Sequence, residues 1–279
     1  MPPVSERENR MKNKIWGTVL VLSLAVIVVS GVRIFMLSKE YREGINVYKG
    51  LEQYATVEES KEMPAKEVPQ EVETQEDGTV VETVKSQIPV TMHLNYASLK
   101  MINEDFKGWL LYEPLALSYP IVRGDDNDFY AYHTFEKEKN NSGAIFMDFL
   151  NKPDYTDYNT IIYGHNMRNG TMFGSLKKLL SDTGIVEENP YFYIFTEDQA
   201  YMYEIFAVYI TRADSATYDL VDTPEAQEEY LSYIDKTATW KSDKKVTGDD
   251  KVVTLSTCHG LHSNNRTVVH GVLIAQEDR

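Results

Sequence analysis

The period of the apolar positions changes along the chain, and each change marks an element. From Ile15 to Val32 the run IWGTVLVLSLAVIVVSGV carries no charge, and Ile34 to Leu37 extend it past Arg33. An α-helix needs roughly 20 such residues to cross the hydrocarbon layer of a membrane. Tyr41, Ile45, Tyr48 and Leu51 follow near helical spacing, which predicts a short helix continuing beyond the apolar run. The period is then lost. The stretch TVEESKEMPAKEVPQEVETQEDGTVVETVKSQ is rich in Glu, Thr, Val and Gln and carries two prolines, so it buries too little surface to offset chain entropy.

From Thr91 onward the pattern is that of a folded domain. Asn95 is placed to cap a helix with Leu99, Ile102 and Phe106 on one face. After Gly108 the period shortens to that of strands. GWLLY, SYPIV, FYAYHTF, GAIFMDF, NTIIYGH, YFYIF, AYMYEIFAVYI, KVVTLSTC and RTVVHGVLI are runs rich in Val, Ile, Tyr and Phe, bounded by turn-forming residues. A mainly β domain with this many short strands predicts a closed barrel. Two helices interrupt it. MFGSLKKLLS places Phe173, Leu176 and Leu180 on one face. DTPEAQEEYLSYIDKT starts from a cap at Asp222 or Thr223 with Pro224 in the first turn, and carries an apolar stripe of Ala226, Tyr230, Tyr233 and Ile234.

Composition refines this picture. With 42% hydrophobic residues in 279, the chain supports one good-sized domain with accessory segments. A net charge of −15 repels phosphate backbones and argues against nucleic acid as a partner. Between Leu51 and Val90 ten acidic residues face three basic ones, so much of the excess lies in the aperiodic stretch. Arg7, Arg10, Lys12 and Lys14 precede the apolar run, which predicts a cytoplasmic N-terminus and an extracellular remainder. The expected organisation is a cytoplasmic tail (1–14), a single-pass membrane anchor (15–37), an extracellular acidic stalk (38–90) and a catalytic domain (91–279). A cleaved signal peptide has the same charged start, but this apolar run exceeds the ~7–15 residues of a signal core and no A-x-A site follows.

The single cysteine, Cys258, forms no intramolecular disulfide. Such a thiol is either buried and inert or a working nucleophile. It ends an apolar strand run, where a loop opening gives a substrate access. His165 ends another run, TIIYGH, in a mirror of that setting, so two strand ends meeting at one barrel rim would pair a base with the thiol. His259 and His262 follow the cysteine as C-H-x-x-H, but no fourth metal ligand accompanies them. Arg266 opens the next run, where a hairpin would return it to the level of Cys258. There it is either a solvated turn residue or the cation that steadies an oxyanion.

TLSTC at 254–258, YGHNM at 163–167 and Arg266 before VVHG resemble the catalytic signatures of sortases, class B in particular. The opening INEDFKGWLLYEPLALSYPIVRGDDNDFYAYHTFEKEKNNSGAIFMDFLN (102–151) is similar to that class as well, and the likeness covers roughly residues 92–276. The resemblance implies a sortase-type closed β-barrel with peripheral helices, preceded by the transmembrane helix. It implies Cys258 as nucleophile, His165 as proton-handling partner and Arg266 as the residue that binds the substrate backbone and the oxyanion. Ser256 and Thr257 lie beside the thiol as substrate-pocket residues. The implied reaction cleaves a C-terminal sorting signal of a secreted protein after Thr and passes through a thioester. The acyl group then goes to a cell-wall precursor peptide amine or, alternatively, to a lysine of a pilin, without metal or organic cofactor. A sortase-like barrel that only binds is the competing reading.

Overall fold

The computed structural model describes residues 4–59, 73–74, 80–81, 88–219, 221–258 and 264–279, with the backbone alone at 4–13, 59, 73–74, 80–81 and 258. Two units are distinguished, Met1–Gly44 and Ile45–Arg279. The first is helical. Helix α1 (Val4–Leu51) contains the apolar run, whose side chains such as Trp16, Leu20 and Phe35 are exposed. An 18-residue stretch of it reaches a mean hydropathy of 2.5, and the helix is long and apolar enough to cross a membrane.

The second unit takes in the last turns of α1 and then strand β1 (Ala55–Glu59), which pairs antiparallel with β4 (Val90–Leu94) from Ala55↔Leu94 to Glu59↔Val90. Between them the two-residue strands β2 (Glu73–Thr74) and β3 (Val80–Val81) pair with each other. The remainder of the expected stalk, 60–72, 75–79 and 82–87, lies outside the described residues. Helix α2 (Tyr96–Ile102) begins as its cap dictates, with the Asn95 side chain accepting from the Ser98 N–H at 3.1 Å. Phe106 does not share its face, because the helix ends at Ile102 and Phe106 begins strand β5 (Phe106–Tyr112).

The barrel follows. Strands β6 (Leu117–Val122), β7 (Ile145–Met147) and β8 (Asn159–His165) continue from β5. Short helices α3 (Lys178–Ser181) and α4 (Gly184–Glu188) lead to β9 (Tyr191–Phe195) and the long β10 (Gln199–Arg212). Helix α5 (Pro224–Thr237) and the short β11 (Trp240–Lys241) fill the passage to β12 (Val252–Cys258) and β13 (Asn265–Asp278). The order β10-β13-β12-β8-β7-β6-β5-β9 is closed by pairing of β9 with β10, giving an eight-stranded barrel with β11 beside β10. Closure removes the free edges an open sheet would expose. Ile121, Ile145, Ile162, Ile194 and Val269 are fully buried, each such side chain contributing roughly 1.5–3 kcal/mol. A second apolar cluster forms beneath α5, where Tyr230 and Ile234 meet Tyr158, Phe206, Tyr209, Val252 and Val268. The cap of α5 is Thr223, accepting from the Ala226 N–H at 3.2 Å.

Two segments differ from their sequence pattern. FYAYHTF is no strand. Asp126 Oδ1 accepts from the N–H groups of Asp128 and Phe129 at 2.8 Å, and the Asn103 amide donates to the Phe135 carbonyl at 2.7 Å, so side chains replace ladder partners. In this loop Tyr130 and Phe135 are both buried, five positions apart and out of step with alternation. MFGSLKKLLS divides into a 3₁₀ turn (Phe173–Ser175) and the four-residue α3. Besides Met172 and the small residues of the 3₁₀ turn, its buried side chains are Phe173, Leu176 and Leu179, the three-residue period of a tight helix, with Leu179 in place of Leu180.

Candidate active site

The parallel pairing of β8 with β12 builds the site. Its register runs from Asn159↔Val252 to His165↔Cys258, so the strand-end histidine and the strand-end cysteine are backbone partners on neighbouring strands. Gly164, one residue before His165, makes room for core side chains: a Cβ there would lie 2.5 Å from Ile145 Cδ1 and 2.7 Å from Phe173 Cγ. On the other flank β12 pairs antiparallel with β13, down to Ser256↔Val268. The Thr267 N–H donates to Thr257 Oγ1 at 2.9 Å, holding the two strands together one residue further. The same register, continued past its last pair, would set Arg266 level with Cys258. Strands β8 and β12 thus bring His165 and Cys258 to one level of the barrel, and β13, paired with β12, carries Arg266 near enough for its charge to act on His165. The Cys258 side chain and residues 259–263, with His259 and His262, lie outside the described residues.

The electrostatics around His165 fit this arrangement. Burial pushes the imidazole below the ordinary histidine range, the Ala131 carbonyl counters by favouring the protonated ring, and the Arg266 charge adds to the depression. A carbonyl only accepts, so Nε2 carries the hydrogen that meets Ala131, and the neutral ring keeps its lone pair at Nδ1. The Tyr132 ring lies 6.2 Å from the imidazole, centroid to centroid. Arg266 is half-buried and donates from Nη1 to the Asn265 carbonyl at 3.4 Å.

The other residues singled out in the sequence have settled surroundings. Ser256 is fully buried, its Oγ 2.7 Å from the Tyr218 hydroxyl, and Thr257 is buried with its Oγ1 accepting from Thr267. Tyr218 in turn stacks on Tyr163, whose hydroxyl donates to Asp148 Oδ2 at 2.9 Å. Of the remaining arginines, Arg212 is clamped on Asp214 at 2.9 and 3.0 Å, and Arg168 is exposed on the turn after His165.

Sequence reading missed the groups that hold the histidine. Ala131 acts through its main-chain carbonyl, which leaves no mark on residue type. Gly143 adopts φ +58°, and a Cβ there would lie 2.8 Å from the Ala131 carbonyl oxygen and 2.9 Å from His165 Cδ2. Its place at the head of the GAIFMDF run is the one legible signal, and that pattern assigns it to a strand rather than to a wedge beside His165.

A family model for the sortase domain matches residues 113–274. The chain is 38% identical over 182 residues to Sortase B of Listeria monocytogenes, covering 64% of this chain and 73% of that relative. Among solved structures it is similar to sortase B from B. anthracis in complex with AAEK1, with TM-score 0.64, 29% identity, and 85% of this chain and 98% of the other covered. It is likewise similar to a Staphylococcus aureus sortase B–substrate complex, with TM-score 0.61, 30% identity, and 64% and 84% of the two chains covered.

Proposed function

Since this chain belongs to the sortase family, class B, we propose that it is a cysteine transpeptidase in which Cys258 attacks, His165 moves the proton and Arg266 steadies the developing oxyanion. The observation that carries the reading is the pairing of His165 with Cys258 at the ends of β8 and β12, with the Arg266 charge reaching His165 from β13. The neutral imidazole takes the thiol proton at Nδ1 as sulfur bonds to the carbonyl carbon of the threonine in a sorting signal. The carbonyl electron pair moves onto oxygen, next to the Arg266 guanidinium. The intermediate collapses to a thioester while the imidazolium protonates the departing amine. A second amine then attacks, His165 accepts its proton, and the thiolate leaves and is reprotonated. The chain's own groups supply every proton transfer.

Ser256 and Thr257 shape the pocket from below, as buried groups that hold β12 to Tyr218 and β13. The substrate is a secreted protein with a C-terminal sorting signal, a reading supported by the family and by the existence of a substrate complex of the S. aureus relative. The acceptor is a cell-wall precursor amine. Residues 15–37 anchor the chain in the membrane as a single helix, with 1–14 cytoplasmic and the barrel outside, an assignment supported by the length and hydropathy of α1 and by the basic residues before it. Residues 38–90 carry the chain from the anchor to the catalytic domain at 91–279. The deciding experiment incubates enzyme with a sorting peptide and reads the covalent adduct by mass spectrometry. The parent should carry a thioester on Cys258, and Cys258→Ala should carry none, should neither hydrolyse nor transfer the peptide, and should keep the parental Tm. Retained turnover in Cys258→Ala would refute the assignment.

A further inference from the structure

The far edge of His165 is held by a segment remote from it in sequence. Tyr48, on the last turns of α1, is buried, and its hydroxyl donates to the Gly143 carbonyl at 2.5 Å. Its ring meets Tyr119 edge-on at 5.4 Å, so little freedom remains to the phenol. Gly143 is wedged in turn. The space its missing Cβ would fill is bounded by the Tyr130 oxygen at 2.7 Å, the Ala131 oxygen at 2.8 Å and His165 Cδ2 at 2.9 Å. The Gly143 N–H donates to the Asn140 carbonyl at 3.1 Å, and the Ala144 N–H to the Tyr130 carbonyl at 2.9 Å. Any drift of Gly143 therefore moves either the imidazole or the carbonyl that receives its Nε2–H. Of the bonds restraining Gly143, the one to Tyr48 comes from the most distant part of the sequence.

We propose that Tyr48 is a positioning residue for His165, acting through the Gly143 carbonyl, so that the end of the N-terminal helix sets the orientation of the catalytic imidazole. This rests on His165 being the proton-handling group. Catalytic geometry is steep enough for the link to matter, since a displacement of about 1 Å costs on the order of 100-fold in rate. Among the described residues the other groups facing the ring are the Arg266 charge, the Tyr132 ring and the Ala131 carbonyl, and of these the Ala131 carbonyl is the one that shares the Gly143 wedge.

The test uses the full chain in detergent. Tyr48→Phe keeps the ring and removes the donor. It should lower kcat/KM for a sorting peptide about tenfold, mostly through kcat. Loosening the Ala131 carbonyl removes a group that favours the protonated ring, so the acid limb of the kcat/KM profile should move to lower pH and the imidazole ¹⁵N resonances of His165 should shift. Gly143→Ala should do the same more strongly. Leu51→Ala, buried on the same helix end but apolar, should lower Tm and leave the pH profile in place. A Tyr48→Phe enzyme whose pH profile and His165 resonances coincide with the parent's would overturn the proposal. Full turnover in His165→Gln would instead bring down the functional reading on which it rests.

Discussion

His165 and His270 stand on strands of the same barrel, and burial lowers the proton affinity of both, yet their surroundings differ in kind. His270 is fully buried beneath α5 and both ring nitrogens are engaged, Nδ1 with Thr254 Oγ1 at 2.9 Å and Nε2 with the Tyr209 hydroxyl at 2.8 Å. The Thr254 hydroxyl hydrogen is committed to Asn159 Oδ1 at 2.6 Å, so Thr254 accepts from Nδ1–H and Tyr209 donates to Nε2. The ring is a neutral, saturated node, and its pKa is pushed down to about 3. At His165 one nitrogen is tied to Ala131, and the half-buried ring ends its strand beside Cys258. A histidine becomes available for chemistry when the fold satisfies one nitrogen and leaves the other to the substrate side.

The largest effect expected from this contrast is kinetic. His165→Gln should lower kcat/KM by about 1,000-fold, within the range for losing a positioned acid–base group, with Tm close to the parent's. Steady-state rates with a sorting peptide check it, and a loss under tenfold would equate the two histidines. Next comes Arg266, whose charge reaches His165. Arg266→Ala should cost about 100-fold in kcat/KM, as for one oxyanion donor, and Arg266→Lys should restore only a small part because the planar fork is lost. Alkylation of Cys258 by a small reagent, which builds no oxyanion, should stay near the parental rate. Near-parental peptide turnover would leave Arg266 a structural residue.

The smallest effect belongs to His270 and concerns stability. Its folded pKa lies below the unfolded value, so between pH 6.5 and about 3 the unfolded chain binds a proton that the folded chain refuses. Stability from this group is present in full above pH 6.5 and is lost as pH falls, at up to ~1.4 kcal/mol per pH unit. His270→Gln should flatten that slope, lower stability at pH 7 by about 1–3 kcal/mol through the disturbed hydrogen bonds of Tyr209 and Thr254, and leave kcat per folded molecule unchanged. Denaturant titrations from pH 4 to 8 measure both. A parental slope in His270→Gln would show that this ring is not the buried titrating group.

Much of this was legible in residue order. The apolar run at 15–37 sets a helix of membrane-crossing length because eighteen uncharged residues from Ile15 leave no polar face. Asn95 starts its helix as expected, and of the two caps open for α5, Asp222 and Thr223, the structure uses Thr223, since a short side-chain oxygen meets an orphan N–H locally. Strand runs such as TIIYGH and VVTLSTC declared themselves through β-branched and aromatic content, which needs only neighbours in the chain. FYAYHTF had the same content and became a loop, because Asp126 and Asn103 supply bonds that a ladder would otherwise provide. The tertiary structure alone decided what surrounds each histidine. TIIYGH and TVVHG are alike as strings, and nothing within either tells that His270 meets Tyr209 and Thr254 while His165 meets a main-chain carbonyl and the end of β12. Proton affinity and access depend on groups brought close by strand pairing and closure, and those contacts have no local correlate in sequence.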